Sequence, residues 1–179
     1  MTSSTPKDPR PADEVRWLTE EQQRHWRAWR DGAALLLDAL GRELDATSGL
    51  SLAEYEILVR LSEAEGRTLR MSELAGDLAH SRSRLTHTVA RLERAGIVRR
   101  EQARCDARGV NCVMTEHGWD VLVAAAPGHV ASVRAHLVDR LTDAQLAALG
   151  DAMQVVVDHL RSPDCTQARA EAEDPAPAA

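Results

Sequence analysis

Across residues 19–160 the apolar side chains recur at steps of three and four, so the chain can bury them only as a set of amphipathic helices. The pattern is interrupted once. Ile97-Val98-Arg99-Arg100-Glu101 and Val110 to Met114, separated by a polar stretch at 102–109, read as a two-stranded hairpin with a charged tip. The expected fold class is therefore mainly α with a small β-hairpin.

Punctuation residues divide the helical pattern. A first helix is expected over 19–46, with Trp26, Trp29, Ala33, Leu36, Leu40 and Leu44 on one stripe. Ser51 and Glu54 have the spacing of a capping box and open a second helix that Gly66 ends. A short helix over 71–79 follows. Ser81 then caps a helix with Leu85, Val89 and Leu92 on one face, and Gly96 stops it. Thr115 opens a further helix that meets Pro127, where a kink is expected, and resumes to Leu137. Thr142 and Gln145 form a second capping box ahead of a final helix through Leu146, Leu149, Met153, Val156 and Leu160.

Six of the seven prolines lie at 6, 9, 11, 163, 175 and 177, so 1–14 and 162–179 read as disordered tails around a folded body at 15–161. The longest unbroken apolar run, Val121 to Ala126, is six residues, against about 20 for a membrane span. No membrane partner is expected. Three cysteines cannot all pair within one chain, which predicts free thiols and a cytoplasmic location.

The formal net charge is −6, yet residues 81–108 carry eight arginines against three acidic side chains, a local +5. A basic patch confined to 28 residues of an acidic chain is the footprint expected of phosphate-backbone binding. The order of elements around it is short helix, turn, arginine-bearing helix and arginine-tipped hairpin. That is the layout of a winged helix-turn-helix, in which the second helix enters a major groove with its N-terminal turn towards the bases. Here that turn holds Ser81, Arg82, Ser83 and Arg84, followed by Thr86, His87 and Thr88. Arginine can fork onto guanine, and serine and threonine suit either base partner. Arg91 and Arg94, further along, are expected on phosphates, and few acidic residues are at hand to neutralise the cluster.

In these features the chain resembles the MarR family of winged-helix transcriptional regulators over about residues 18–160. The resemblance rests on Leu74-Ala75, on Ser83 through Leu92-Glu93 with Ala95-Gly96-Ile97-Val98, and on Asp106-Ala107-Arg108 leading to Val113-Met114-Thr115-Glu116-His117-Gly118. Asp106, Arg108 and Thr115 match the family's wing aspartate, wing arginine and the threonine nine positions beyond the aspartate. The resemblance implies that Arg108 works in a minor groove, with Arg104 a further DNA-binding candidate, and that the DNA-binding lobe at 47–114 sits on dimerisation helices at 15–46 and 115–161. It further implies a homodimer bound to an inverted-repeat operator in double-stranded DNA. The long apolar stripes of the first and last helices agree, because a twin would cover them.

The resemblance also implies a small phenolic or anionic effector between the dimer helices and the lobe. His25, Trp26, Trp29, Arg30, Tyr55 and Trp119 lie on the relevant helices, although an aromatic pair three apart on an apolar stripe equally suits a dimer core. Cys105 and Cys112 offer a thiol-based redox alternative, since the hairpin would bring them together and Arg104 or Arg108 would lower a thiol pKa. No metal site is expected: Cys105, Cys112 and His117 lack a recurring zinc spacing, and His129 and His136 share a helix face without further ligands. No cofactor is implied. No nucleophile–base order, Gly-rich phosphate loop or carboxylate pair gives catalysis a foothold, so the chain is not expected to be an enzyme.

Overall fold

Helix boundaries in this chain follow its caps. A computed structural model describes residues 15–78, 81–103 and 109–162, and divides the chain between Asp38 and Ala39 into two units. In the N-terminal unit, helix α1 (Glu20–Ser48) begins after Thr19, whose hydroxyl accepts from the Gln22 amide while the Gln22 side chain accepts from the Thr19 amide. The expected tails at 1–14 and beyond 162 lie outside the described residues.

In the larger unit α1 ends at Ser48, and Leu40 and Leu44 of its stripe are buried. Helix α2 (Leu52–Glu63) starts at the expected Ser51–Glu54 capping box, with both reciprocal hydrogen bonds made. A single 3₁₀ turn, Glu65–Arg67, contains Gly66 at φ 60°. It leads into strand β1 (Thr68–Arg70) and helix α3 (Met71–Asp77). Helix α4 (Arg82–Arg94) is capped by Ser81 and stops before Gly96, at φ 70°, which turns the chain into strand β2 (Val98–Gln102). Strand β3 (Val110–Met114) returns antiparallel to β2, pairing Val98 with Met114 and Arg100 with Cys112.

The sheet has three strands, not the two expected, in the order β1-β3-β2. Strand β1 pairs antiparallel with β3 through Leu69 and Cys112. Three residues are too few for alternation to show in a sequence, and the partner that makes them a strand lies more than forty positions away.

Helix α5 (Glu116–His136) carries Pro127 in its interior, as the sequence led us to expect. Together with the following 3₁₀ turn, Val138–Arg140, it is long and apolar enough to cross a membrane by length and composition, which the six-residue run did not reveal. It packs against α2 and places Leu122 and Ala125 in the core, while Val123 and Val130 remain exposed. Helix α6 (Asp143–Leu160) starts at the expected Thr142–Gln145 box and buries none of its residues.

The core joins α2, α3, α4, β2, β3 and the start of α5 through Ile57, Leu58, Leu61, Leu74, Leu85, Val89, Leu92, Val98 and Cys112. It is closed by a backbone clasp. The Thr115 amide donates to the Ile97 carbonyl, and the Thr115 hydroxyl lies 2.7 Å from the Gly96 carbonyl oxygen while accepting from the Gly118 amide. A Cβ at Gly118 would lie 2.1 Å from the Ile97 carbonyl oxygen, so only glycine lets α5 approach this turn. Gly118→Ala is expected to destabilise the fold by about 3 kcal/mol or more through overpacking against backbone. A lowered urea midpoint at unchanged m-value checks it, and a wild-type midpoint contradicts it.

Candidate nucleic-acid interface

Helix α4 has one buried stripe and one exposed face. Leu85, Val89 and Leu92 are buried among α2, α3 and the sheet, which fixes the rotation of the helix about its axis. At about 100° per residue, Ser83, His87 and Arg94 fall opposite that stripe, and Arg84 shares a flank with Arg91. Ser83, Arg84, Thr86, His87 and Arg94 are exposed. Arg84 and Arg94 have no acidic partner among the described residues. The helix thus presents hydrogen-bonding groups and two guanidiniums without an acidic partner among the described residues, Arg94 on its outward ridge and Arg84 on the adjoining flank.

Two expected base-reading residues have their hydroxyls directed elsewhere. The Ser81 Oγ accepts from the Arg84 amide at 3.3 Å as the N-cap, and the Thr88 Oγ1 donates back to the Arg84 carbonyl at 3.0 Å. The Arg82 side chain and the wing residues Arg104 and Arg108 lie outside what the structure describes.

The expected shortage of acidic partners is not what the structure contains. Arg91 donates from Nε and Nη2 to the two carboxylate oxygens of Glu54, each at 2.5 Å. Glu54 is buried, and its Oε2 also accepts from the Ser51 amide and hydroxyl at 2.9 and 2.7 Å. Burial pushes the Glu54 carboxyl up, but the hydrogen bonds from Arg91 and Ser51 outweigh it and leave it below its ordinary value. Arg100, at the start of the wing, donates from its amide and guanidinium to Glu93, and these hydrogen bonds hold Glu93 below the usual carboxylate range. Arg99 pairs with Glu101 at 2.6 Å. Arg91 and Arg100 are therefore ion-paired between elements of the lobe, Arg99 pairs along its own strand, and the Arg91 side chain remains 55% exposed beside Glu54.

The residues expected to line an effector cleft fall in both units. In the N-terminal unit Trp26 and Trp29 stack with centroids 5.2 Å apart and are about half exposed, His25 lies 3.7 Å from Glu21, and Arg30 forks onto Asp31. In the larger unit Tyr55 is buried against His129, ring centroids 4.4 Å apart, and burial raises the Tyr55 phenol. The ring of Trp119 packs partly buried against the core and is covered by the Arg67 guanidinium at 4.1 Å, which also meets Glu116.

His129 was recognisable in the sequence only as half of a histidine pair, and the pair separates. His136 meets Glu43 at 2.7 Å, whereas His129 turns to Tyr55 and leaves its buried Nδ1 with no hydrogen-bond partner among the described residues. Burial lowers its pKa against the opposing field of Glu56. Arg67, at φ 52°, had no sequence signal at all.

Burial bears on the Cys112 half of the thiol alternative. Cys112 lies fully buried in β3, and desolvation, aided by Glu93 and opposed by Arg100, pushes its thiol from 9.0 up to about 12. A thiol so placed stays protonated and shielded from oxidants. Cys105 lies outside the described residues. Among the described residues no three His, Cys, Asp or Glu side chains converge as a metal site.

Comparison with known proteins agrees with this geometry. The MarR family model matches residues 50–110, which run from the start of α2 to the start of β3. The chain is 45% identical to Sco3205 of Streptomyces coelicolor, a MarR family transcriptional regulator solved in complex with DNA; the match covers 86% of this chain and 96% of that one at a TM-score of 0.81. It is 44% identical to AbsC, a MarR family transcriptional regulator from the same organism, over 82% of this chain and 99% of that one at a TM-score of 0.77. CouR of Rhodococcus jostii, solved with p-coumaroyl-CoA, shares the fold at 22% identity and a TM-score of 0.63 over 76% of this chain and 92% of its own. No curated protein matches. The chain belongs to the MarR family, a family of DNA-binding transcription regulators.

The Cys112 environment generates a pH prediction. Its folded pKa lies above the unfolded value, so the stability it contributes is complete below about 9 and is lost as pH rises from 9 towards 12, where only the unfolded thiol ionises freely. Native protein should leave Cys112 unmodified by a thiol reagent at neutral pH, and the decline in stability above pH 9 should be shallower in Cys112→Ala. Rapid labelling of Cys112 in the folded protein would contradict the assignment.

Proposed function

We propose that the chain acts as a homodimer that reads an inverted-repeat operator in double-stranded DNA and represses transcription until a small aromatic or anionic effector releases it. One observation carries the DNA-reading part. The first half of α4 exposes Ser83, Arg84, Thr86 and His87 while the opposite face is locked into the core, so groups able to meet base edges stand on a rigid support. Sco3205, nearly half identical in sequence, was solved in complex with DNA, which favours the same use here.

Unburied apolar surface supports the homodimer. Leu35 on α1 and Val155 on α6 are 71% and 69% exposed, and Val123 and Val130 on α5 and Leu160 on α6 add to them. Surface of this kind on three long helices is what an obligate interface between twins covers. The same surface gives α5 its membrane-like composition, and a cytoplasmic regulator needs no bilayer to cover it. Two-fold symmetry then asks for half-sites about one helical turn apart.

The effector reading is supported by His129 and Tyr55. A buried imidazole nitrogen with no partner among the described residues, its ring tilted against a phenol, is a ready hydrogen-bonding point beside an aromatic wall. Cys112 is too buried to favour an oxidant as the signal.

Selection from a random duplex pool should enrich an inverted repeat, with sedimentation showing a dimer at micromolar concentration. Failure to enrich any motif would overturn the reading. Arg84→Ala should then lose about 1–3 kcal/mol on the selected operator and relax its sequence preference, as expected for a guanidinium on a base edge. Equal losses on operator and scrambled duplex would move Arg84 to the phosphates.

A further inference from the structure

We infer that Arg91 is not a phosphate contact but the positioning residue of the recognition helix, acting through the buried carboxylate of Glu54. The inference rests on the DNA-reading role proposed for α4.

Its basis is the geometry of one carboxylate. Glu54 lies in the first turn of α2, with its side chain 3% exposed, and its two oxygens receive four donors: Arg91 Nε and Nη2, the Ser51 amide and the Ser51 hydroxyl. A buried carboxylate is tolerated only while such donors stay in place, so a shift of α4 along α2 would strip two of them at once. The planar guanidinium fork fixes direction as well as distance, because both N–H groups must meet their oxygens together. Leu85, Val89 and Leu92 set the rotation of α4, but apolar packing tolerates small slides. The fork does not.

Placement along the helix matters too. Arg91 lies two turns beyond Arg84, so the fork holds α4 away from the exposed residues at its N-terminal end and leaves their surface unobstructed. Arg94 and His87, beside it around a shallow depression that Ser51, Glu54 and Thr88 also line, stay exposed. Glu93 completes the arrangement by holding Arg100 on β2, so two residues within one turn near the end of α4 tie it to α2 on one side and to the wing on the other. Asp45 also contributes to the field at Arg91.

The two roles predict opposite signs for Glu54→Gln. If Arg91 serves phosphate, removing the carboxylate frees a guanidinium and binding is unchanged or tighter. If Arg91 positions the helix, operator affinity falls. The test uses the full-length protein and a duplex selected from a random pool by the wild type, with a scrambled duplex as comparison, across a salt series. Helix content and thermal midpoint are recorded for each variant. Both Glu54→Gln and Arg91→Lys, which keeps the charge and loses the fork, should weaken operator binding about tenfold or more, with scrambled-duplex binding and the salt slope of both unchanged. Wild-type operator affinity in Arg91→Lys, together with a salt slope reduced by about two per dimer in Arg91→Ala, would overturn the inference. Should Glu54→Gln fail to fold, the Lys variant decides alone, since its charge matches the wild type and the two roles still predict different affinities. A wild type that selects no duplex would instead overturn the DNA-reading role itself.

Discussion

The burial of Glu54 is the constraint on which the lobe depends. It is the buried charged side chain of the described core, and it serves two helices at once. Towards its own helix it completes the capping box of α2; towards α4 it receives the fork of Arg91. A capping glutamate in water would stabilise one helix end by about 1 kcal/mol. Once buried, the same carboxylate cannot lose its donors without leaving a desolvated charge, and local capping becomes a link between elements.

The clasp at Thr115 works by the same logic with uncharged groups. Gly96 turns the chain out of α4, and Thr115 meets the Gly96 and Ile97 carbonyls, so the end of the recognition helix, the start of the wing and the start of α5 share one set of hydrogen bonds. Gly118 permits this closeness because any side chain would collide with the Ile97 carbonyl. A movement of α5 would strain these bonds at the base of the wing. That coupling is what an effector bound near Tyr55 and His129 would need in order to reach α4.

Outside the lobe the balance is reversed. Helix α6 buries nothing, and the stacked pair Trp26 and Trp29 remains half exposed. The amphipathic stripes were clear in the sequence because helical periodicity is local. What covers them is a question of assembly, and in the homodimer proposed above a second copy would remove this apolar surface from water.

Taken alone, the sequence determined what depends on near neighbours: the caps at Ser51, Ser81, Thr115 and Thr142, the stop at Gly96, the buried stripe of α4 and the strands of the hairpin. These follow from spacings of a few residues, where a side chain and its partner are joined by the same turn of backbone. Only the tertiary structure decided which charges remain available. Arg91, Arg99 and Arg100 read in sequence as members of one basic patch. The fold pairs two of them with the carboxylates of Glu54 and Glu93, thirty-seven and seven positions away, and leaves Arg84 and Arg94 without an acidic partner among the described residues. Strand β1 and the separation of His129 from His136 were decided in the same way. Each depends on a partner distant in the chain, and a one-dimensional pattern does not encode which distant groups three-dimensional packing will bring within hydrogen-bonding reach.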